Sequence, residues 1–339
     1  MSARLRIGAL ILSALGLAVG LWVIGRVGLD QLAGTITRMG VGGFLLFVLA
    51  SIGIFVPLGA AWIASCPGEP PRRAGLFMWA RAAREAANEV LPFSQLGGFV
   101  VGARTLIARG IAAPRVYAAM TVDITTEMAS QLLFTLVGLA AMGALLLDGG
   151  AAHHHHLRTL AWAGAGVSLA VTAAFVALQR PALRLAGAIG GKLLPRGEAM
   201  LEAIRAELDA TYRSHAAVAA AFVFNLLGWL ATMLCSWLAL ALMGAPVPFW
   251  TALALESLIL ALRSAAFMVP GGLGVQEAAY ALLGPLLGID PDTAVALSLV
   301  KRARDLAIGV PVLIVWNANA WRKSPPPACG RGPGGGLTR

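Results

Sequence analysis

The sequence predicts an all-α fold: a polytopic helical membrane protein with about six full spans and two re-entrant helical hairpins, set in two inverted repeats. Composition points there first. Of 339 residues, 58% are hydrophobic and 12% charged, against about 25% charged in a soluble domain. Several apolar stretches exceed the ~20 residues that a helix needs to cross the hydrocarbon core. They are continuous and rich in Ala, Leu and Gly, whereas the strands of a membrane barrel would alternate. Two more apolar regions are broken mid-way by Pro and Gly. A lipid-facing backbone cannot break so, because its freed N–H and C=O groups would find no partner.

The first apolar run, about 6–25, follows Met1-Ser2-Ala3-Arg4-Leu5-Arg6. It has the look of a signal peptide, but no small-residue cleavage site precedes Arg26 and more spans follow. It reads as a retained helix. A second span is expected at 42–64. The first hairpin, 74–110, breaks at Pro92 and Gly97-Gly98, and a third span at 117–147 completes the first repeat, residues 1–147.

The second repeat, 148–321, opens on Asp148-Gly149-Gly150 and the tract His153-His154-His155-His156. Successive residues on a helix point in different directions, so the tract reads as a polar loop and no metal site is expected. Spans follow at 159–178 and 216–243. Between them Leu201, Ile204, Leu208 and Tyr212 recur at helical spacing over 196–215. This amphipathic helix either lies on the inner leaflet or packs under the bundle. The second hairpin, 249–288, breaks at Pro270-Gly271-Gly272-Leu273-Gly274, and the last span is 293–318. If both hairpins cross fully, the chain has eight spans. Residues 322–339, rich in Pro and Gly, read as a disordered cytoplasmic tail.

The net charge of +10 reflects orientation rather than nucleic-acid binding. With six spans and both termini cytoplasmic, 19 of the 26 Lys and Arg residues fall inside and three, Arg26, Arg38 and Arg158, fall outside. That asymmetry is the positive-inside pattern. Cys66, Cys235 and Cys329 are far apart and imply no disulfide framework or metal knuckle. No HExxH, Walker loop, GxSxG or dinucleotide fingerprint is present.

The two halves resemble each other. Arg84-Glu-Ala-Ala leads to Pro92 and Leu96-Gly97, and Arg263-Ser-Ala-Ala leads to Pro270 and Leu273-Gly274. Pro114 opens the span with Asp123 and Glu127. Pro291 opens the span with Lys301, Arg302, Arg304 and Asp305. An odd number of spans per repeat inverts the second copy, as recurs in transporters with broken helices.

Ionisable residues inside a membrane are costly, and this chain has many. The first hairpin carries Arg81, Arg84, Glu85, Asn88 and Glu89, with Arg81/Glu85 and Glu85/Glu89 on one face. Asp123 and Glu127 share a face of the third span. The second hairpin carries Glu256, Arg263 and Glu277. Acidic and basic sets are expected to neutralise each other across the repeat interface. They either hold helices together or line a polar cavity for a charged group. Glu277 follows a Gly-rich break, where a helix N-terminus favours negative charge. Arg302 has a planar fork suited to phosphate or carboxylate.

At these motifs the chain resembles the family of the lysylphosphatidylglycerol synthase transmembrane region, also called flippase-like, over about residues 8–320. The resemblance rests on Asn88, Leu91-Pro92, Gly97, Asp123, Glu127, Pro270-Gly-Gly-Leu-Gly-Val-Gln-Glu277 and Arg302. Residues 84–98 look most like a branch associated with bacterial hopanoid biosynthesis. Two departures stand out: Gly98 replaces a Glu common in the family, and the acidic pair runs Asp then Glu. The large synthase members also carry a cytosolic aminoacyl-transferase domain, which has no counterpart here.

The resemblance implies a multi-pass protein of the bacterial inner membrane that translocates or presents a lipid, hopanoid-related or anionic, without being an enzyme and without a cofactor. The expected headgroup path comprises Arg84, Asn88, Glu89, Pro92, Gly97, Asp123, Glu127, Arg263, Pro270, Gly271, Gly272, Gly274, Glu277 and Arg302. Expected partners are membrane lipids and lipid-biosynthesis enzymes. The alternatives are a non-transporting subunit that scaffolds lipid-modifying enzymes, or an enzyme using Glu277 or Asp123/Glu127 as acid or base.

Overall fold

The computed structural model describes residues 29–90, 94–148, 197–265 and 274–321. The expected spans at 6–25 and 159–178, the His153–His156 tract and the tail from residue 322 lie outside them. So do Pro92, Pro270, Gly271 and Gly272.

Every regular element among the described residues is helical. Helix α1 (Leu29–Ile52) is bent at Gly40, whose φ of 64° is open to glycine at little cost. Helix α2 (Phe55–Ala64) continues the same apolar run. A short turn then leads into α3 (Ala74–Val90) and α4 (Ser94–Ile107), which pack on each other. Helix α5 (Ala113–Asp148) follows. The second half supplies α6 (Gly197–Arg213), α7 (His215–Leu242), α8 (Phe249–Ala265), α9 (Val275–Leu286) and α10 (Pro291–Trp321).

Burial is inside-out relative to a soluble protein. Val41 is 77% exposed and Leu282 70%, while Arg81 is 1% exposed and Asp123 0%. Large apolar side chains outside and charges inside are what a hydrocarbon solvent selects. Among the described residues, Thr37–Ala64, Ala113–Leu145 and His215–Leu242 are long and apolar enough to cross a membrane. These match the expected spans at 42–64, 117–147 and 216–243 to within a few residues. The span expected at 293–318 is helical, as α10, but Lys301, Arg302, Arg304 and Asp305 interrupt its apolar character.

The amphipathic segment is α6, and its apolar face packs on the bundle. Leu208, Ile204 and Tyr212 meet Ala118 and Val122 of α5. Two polar contacts reinforce the join: Tyr212 Oη to Thr125 Oγ1 at 3.2 Å, and Arg115 Nε to Glu207 at 3.4 Å.

Helix contacts between the two halves are reciprocal. Helix α3 of the first half packs against the last described helix, α10, and α8 of the second half packs against α5 of the first. This places the charged faces of α3, α5, α8 and α10 side by side.

Candidate functional site: a buried charge seam

Arg81, Glu85 and Glu89 recur every four residues on α3, with Arg84 three residues after Arg81, so all four fall near one face. Arg81 and Arg84 both reach the acidic pair one turn apart on α5. Arg81 donates to Asp123 Oδ2 at 2.7 Å and to Glu127 Oε1 at 2.5 Å. Arg84 donates to the same Asp123 oxygen at 3.0 Å and to Glu127 Oε2 at 3.1 Å. The planar guanidinium fork suits such two-point contact. From α7, the Asn225 amide donates to Asp123 Oδ1 at 3.3 Å and to Thr126 Oγ1 at 3.1 Å. Glu85 comes last in this set: its Oε1 lies 2.9 Å from Arg81 Nε without hydrogen-bond geometry, and accepts no hydrogen bond.

One turn further along α3, Glu89 meets the second half. Arg263 of α8 donates to it at 2.7 Å and Arg302 of α10 at 3.5 Å. Arg302 also reaches Glu277 Oε1 at 3.4 Å. The other Glu277 oxygen accepts the Gly274 N–H at 2.8 Å, so the start of α9 is capped by its own acid. Gln131 Nε2 donates to Ser264 Oγ at 2.5 Å, tying α5 to α8.

The two sets of contacts meet along α3, where Glu85 and Glu89 are one turn apart, and together form a seam with a closed end and an open side. Arg81, Arg84 and Asp123 are buried. The side chains of Glu85, Glu89, Glu127, Arg263 and Arg302 are between 15% and 30% exposed. A buried charge needs partners; a half-exposed one can also meet a polar solute. A separate, closed cluster lies nearby. Lys301 Nζ donates to Glu256 at 2.6 Å and to Tyr280 Oη at 2.7 Å, and Tyr280 Oη donates to Glu256.

The structure brings Arg84, Glu89, Asp123, Glu127, Arg263, Glu277 and Arg302 into the seam, with Gly274 capping α9. Asn88 lies behind it, buried against Gly98, and its Oδ1 accepts no hydrogen bond. Gly97 is half-buried on α4. One expectation is corrected. The acidic and basic sets do not mainly neutralise each other across the two halves: Arg81 and Arg84 are satisfied by Asp123 and Glu127 of their own half, and Lys301 by Glu256 of its own. Within the seam the crossing falls to Glu89. The reason is local, since α3 and α5 are already close enough for side-chain contact and need no partner from further away.

Sequence reasoning missed Asn225 and Tyr280. Both are uncharged polar residues in apolar helices, a weak signal beside the charges they serve. Among the described residues no group of three His, Cys, Asp or Glu side chains converges as a metal site. Neither the curated proteins nor the solved structures compared with the chain contain a match. Residues 7–312 match the model of the lysylphosphatidylglycerol synthase TM region, so the chain, a helical membrane protein with its charges turned inward, belongs to that lipid-related family.

Proposed function

We propose that this protein translocates or presents a membrane lipid, with the headgroup passing along the half-open side of the seam while the chains stay in the bilayer. The observation that carries this reading is the run of partly exposed charges from Glu85 and Glu127 through Glu89 to Arg263 and Arg302. Mixed charge at that depth gives a zwitterionic or anionic headgroup a partner for each of its groups. Two further facts support it. The described parts of α3 and α4, and of α8 and α9, flank the Pro- and Gly-containing stretches of the sequence on both sides, the element order that re-entrant hairpins need. The reciprocal packing of α3 on α10 and α8 on α5 fits two inverted repeats meeting at a midplane site.

On this reading the protein sits in a bacterial inner membrane with both termini cytoplasmic, and binds rather than converts its lipid. Hopanoid-related and anionic lipids are the candidates. The test is reconstitution of the full chain into vesicles of phosphatidylglycerol and phosphatidylethanolamine, with leaflet-resolved lipid analysis. Faster exchange between leaflets than in empty vesicles is the expected result. An open apolar groove of about 500 Å³, lined by Thr125, Ala129, Tyr212, Val218 and Phe222, favours a second reading, a non-transporting subunit that scaffolds lipid-modifying enzymes. Vesicles with unchanged exchange would decide for it.

A further inference from the structure

The seam holds more acid than base. Among the described residues four guanidiniums, of Arg81, Arg84, Arg263 and Arg302, face five carboxylates, of Glu85, Glu89, Asp123, Glu127 and Glu277. Beside the seam, Lys301 pairs with Glu256 and Arg304 with Asp305, and Arg115, at the far end of α5, pairs with Glu69 and Glu207. Of the other elements packed on α3, α2 contains no charged residue, α4 carries only Arg104, which is exposed, and the turn Pro71–Arg73 carries Arg72, which is exposed, and Arg73, which pairs with Glu69. An uncompensated charge in the interior of a membrane protein is unfavourable.

The surplus can be placed. Asp123 and Glu127 each accept from both Arg81 and Arg84. Glu89 accepts from Arg263 and Arg302, and Glu277 from Arg302 and the Gly274 N–H. Glu85 is left beside the Arg81 Nε edge at 2.9 Å and 3.9 Å from Arg84 Nε. Its buried Oε1 accepts no hydrogen bond, yet the side chain is 28% exposed. The one acid of the set that accepts no hydrogen bond at its buried oxygen is therefore also partly exposed. An alkali cation needs a shell of several oxygens at once, and the neighbouring oxygens are engaged by guanidinium. A proton needs one oxygen.

We propose that Glu85 is a proton-binding site of the seam, and that the headgroup path works with one proton bound there and released as lipid moves. The O–H bond forms with a proton from the aqueous phase on one side and breaks to the phase on the other. This rests on the lipid-moving reading above, and names its coupling ion.

The test uses the full chain in vesicles of phosphatidylglycerol and phosphatidylethanolamine, under an imposed pH gradient, an imposed sodium gradient, or neither. The wild-type chain should exchange lipid several-fold faster under the pH gradient and be indifferent to sodium. Glu85→Gln should exchange at one rate with or without the pH gradient, and Glu85→Asp should keep the dependence. Indifference of the wild type to pH, or a response to sodium, would overturn the proposal while leaving lipid movement standing. A wild type that moves no lipid refutes the functional reading instead.

PH-difference infrared spectra of the purified chain then judge the proton site alone. A carboxylic-acid band that grows on acidification, missing from Glu85→Gln, supports it. The same band in that variant, or none in the wild type, defeats it. Should Glu85→Gln not fold, Glu85→Asp serves instead: it keeps an acid at the site, so the band should remain but move in frequency, and an unmoved band would place the proton elsewhere and overturn the proposal.

Discussion

Gly98 lies directly beneath the Asn88 side chain: a Cβ at position 98 would stand 1.9 Å from Asn88 Oδ1 and 2.7 Å from the Arg84 carbonyl oxygen. Helices α3 and α4 therefore touch where one of them has no side chain. Gly98→Ala should lower stability by about 1–3 kcal/mol, as overpacking does. Thermal unfolding in detergent measures it. The double variant Gly98→Ala/Asn88→Ala should recover part of the loss but not all, since the Arg84 carbonyl remains. Strict additivity of the two singles would show that the two positions do not communicate.

The seam predicts two tiers of sensitivity. Asp123→Asn leaves Arg81 and Arg84 buried with a weaker partner, and Arg81→Gln leaves two acids short of one. Each should cost about 3–5 kcal/mol, the usual penalty for breaking a buried pair. Glu277→Gln and Arg302→Gln break longer contacts, 3.4–3.5 Å apart; Arg302 is partly exposed, and a glutamine at 277 can still accept the Gly274 N–H that the buried Glu277 now caps. They should leave expression and melting nearly unchanged while reducing lipid redistribution. Melting and the leaflet assay, run on every variant, separate the tiers. A large melting loss in both Glu277→Gln and Arg302→Gln that their double restores would mark them as a structural pair.

The closed cluster of Glu256, Tyr280 and Lys301 should behave as pure structure. Lys301→Met strands the Glu256 carboxylate and should destabilise strongly. Adding Glu256→Gln should restore much of the loss, because an uncharged pair needs no compensation. Tyr280→Phe removes one donor and should cost about 1–3 kcal/mol. None of the three should change lipid redistribution per folded molecule. A selective transport defect in Tyr280→Phe with unchanged melting would refute the structural assignment.

Cys66, just beyond the first described span, is buried, and burial aided by the neighbouring Glu69 carboxylate pushes its thiol up to about 12 from an ordinary 9.0. The folded state thus holds the neutral thiol while the unfolded state ionises. Between pH 9 and 12 the unfolded chain binds fewer protons, so this residue's contribution to stability falls as pH rises through that window. Alkylation mapped by mass spectrometry should find Cys66 unreactive at neutral pH in the folded protein and modified in denaturant. Cys66→Ser should flatten the decline in melting temperature above pH 9. Rapid labelling of the native protein at pH 7 would contradict the burial.

Much of this architecture is readable from residue type alone. A charge in an apolar helix is conspicuous, and Glu89, Asp123, Glu127, Arg263, Glu277 and Arg302 announce themselves that way. Spacing puts Asp123 and Glu127 on one face, and the Gly-rich break before Glu277 marks the start of α9. Pairing is not readable. Nothing in the spacing tells that Arg81 and Arg84 share both acids of α5 instead of reaching into the other half, because that depends on how closely α3 and α5 approach. Asn225 and Tyr280 stay hidden for a related reason: a polar neutral residue in a membrane helix has meaning only once its neighbour is known. The role of Gly98 is likewise invisible, since an absent side chain becomes informative only when something occupies its place.

Glu89 takes one short contact from Arg263 and one long contact from Arg302, on two different helices. A single carboxylate shared so unevenly behaves like the beam of a balance. A sub-ångström slide of α8 against α10 would exchange the short arm for the long one, with the total charge contact nearly conserved. Two arrangements of the halves would then differ little in energy around this residue, and the passage between them would never leave the carboxylate bare. Rigid locks use matched pairs; one acid between two bases is a geometry that permits alternation.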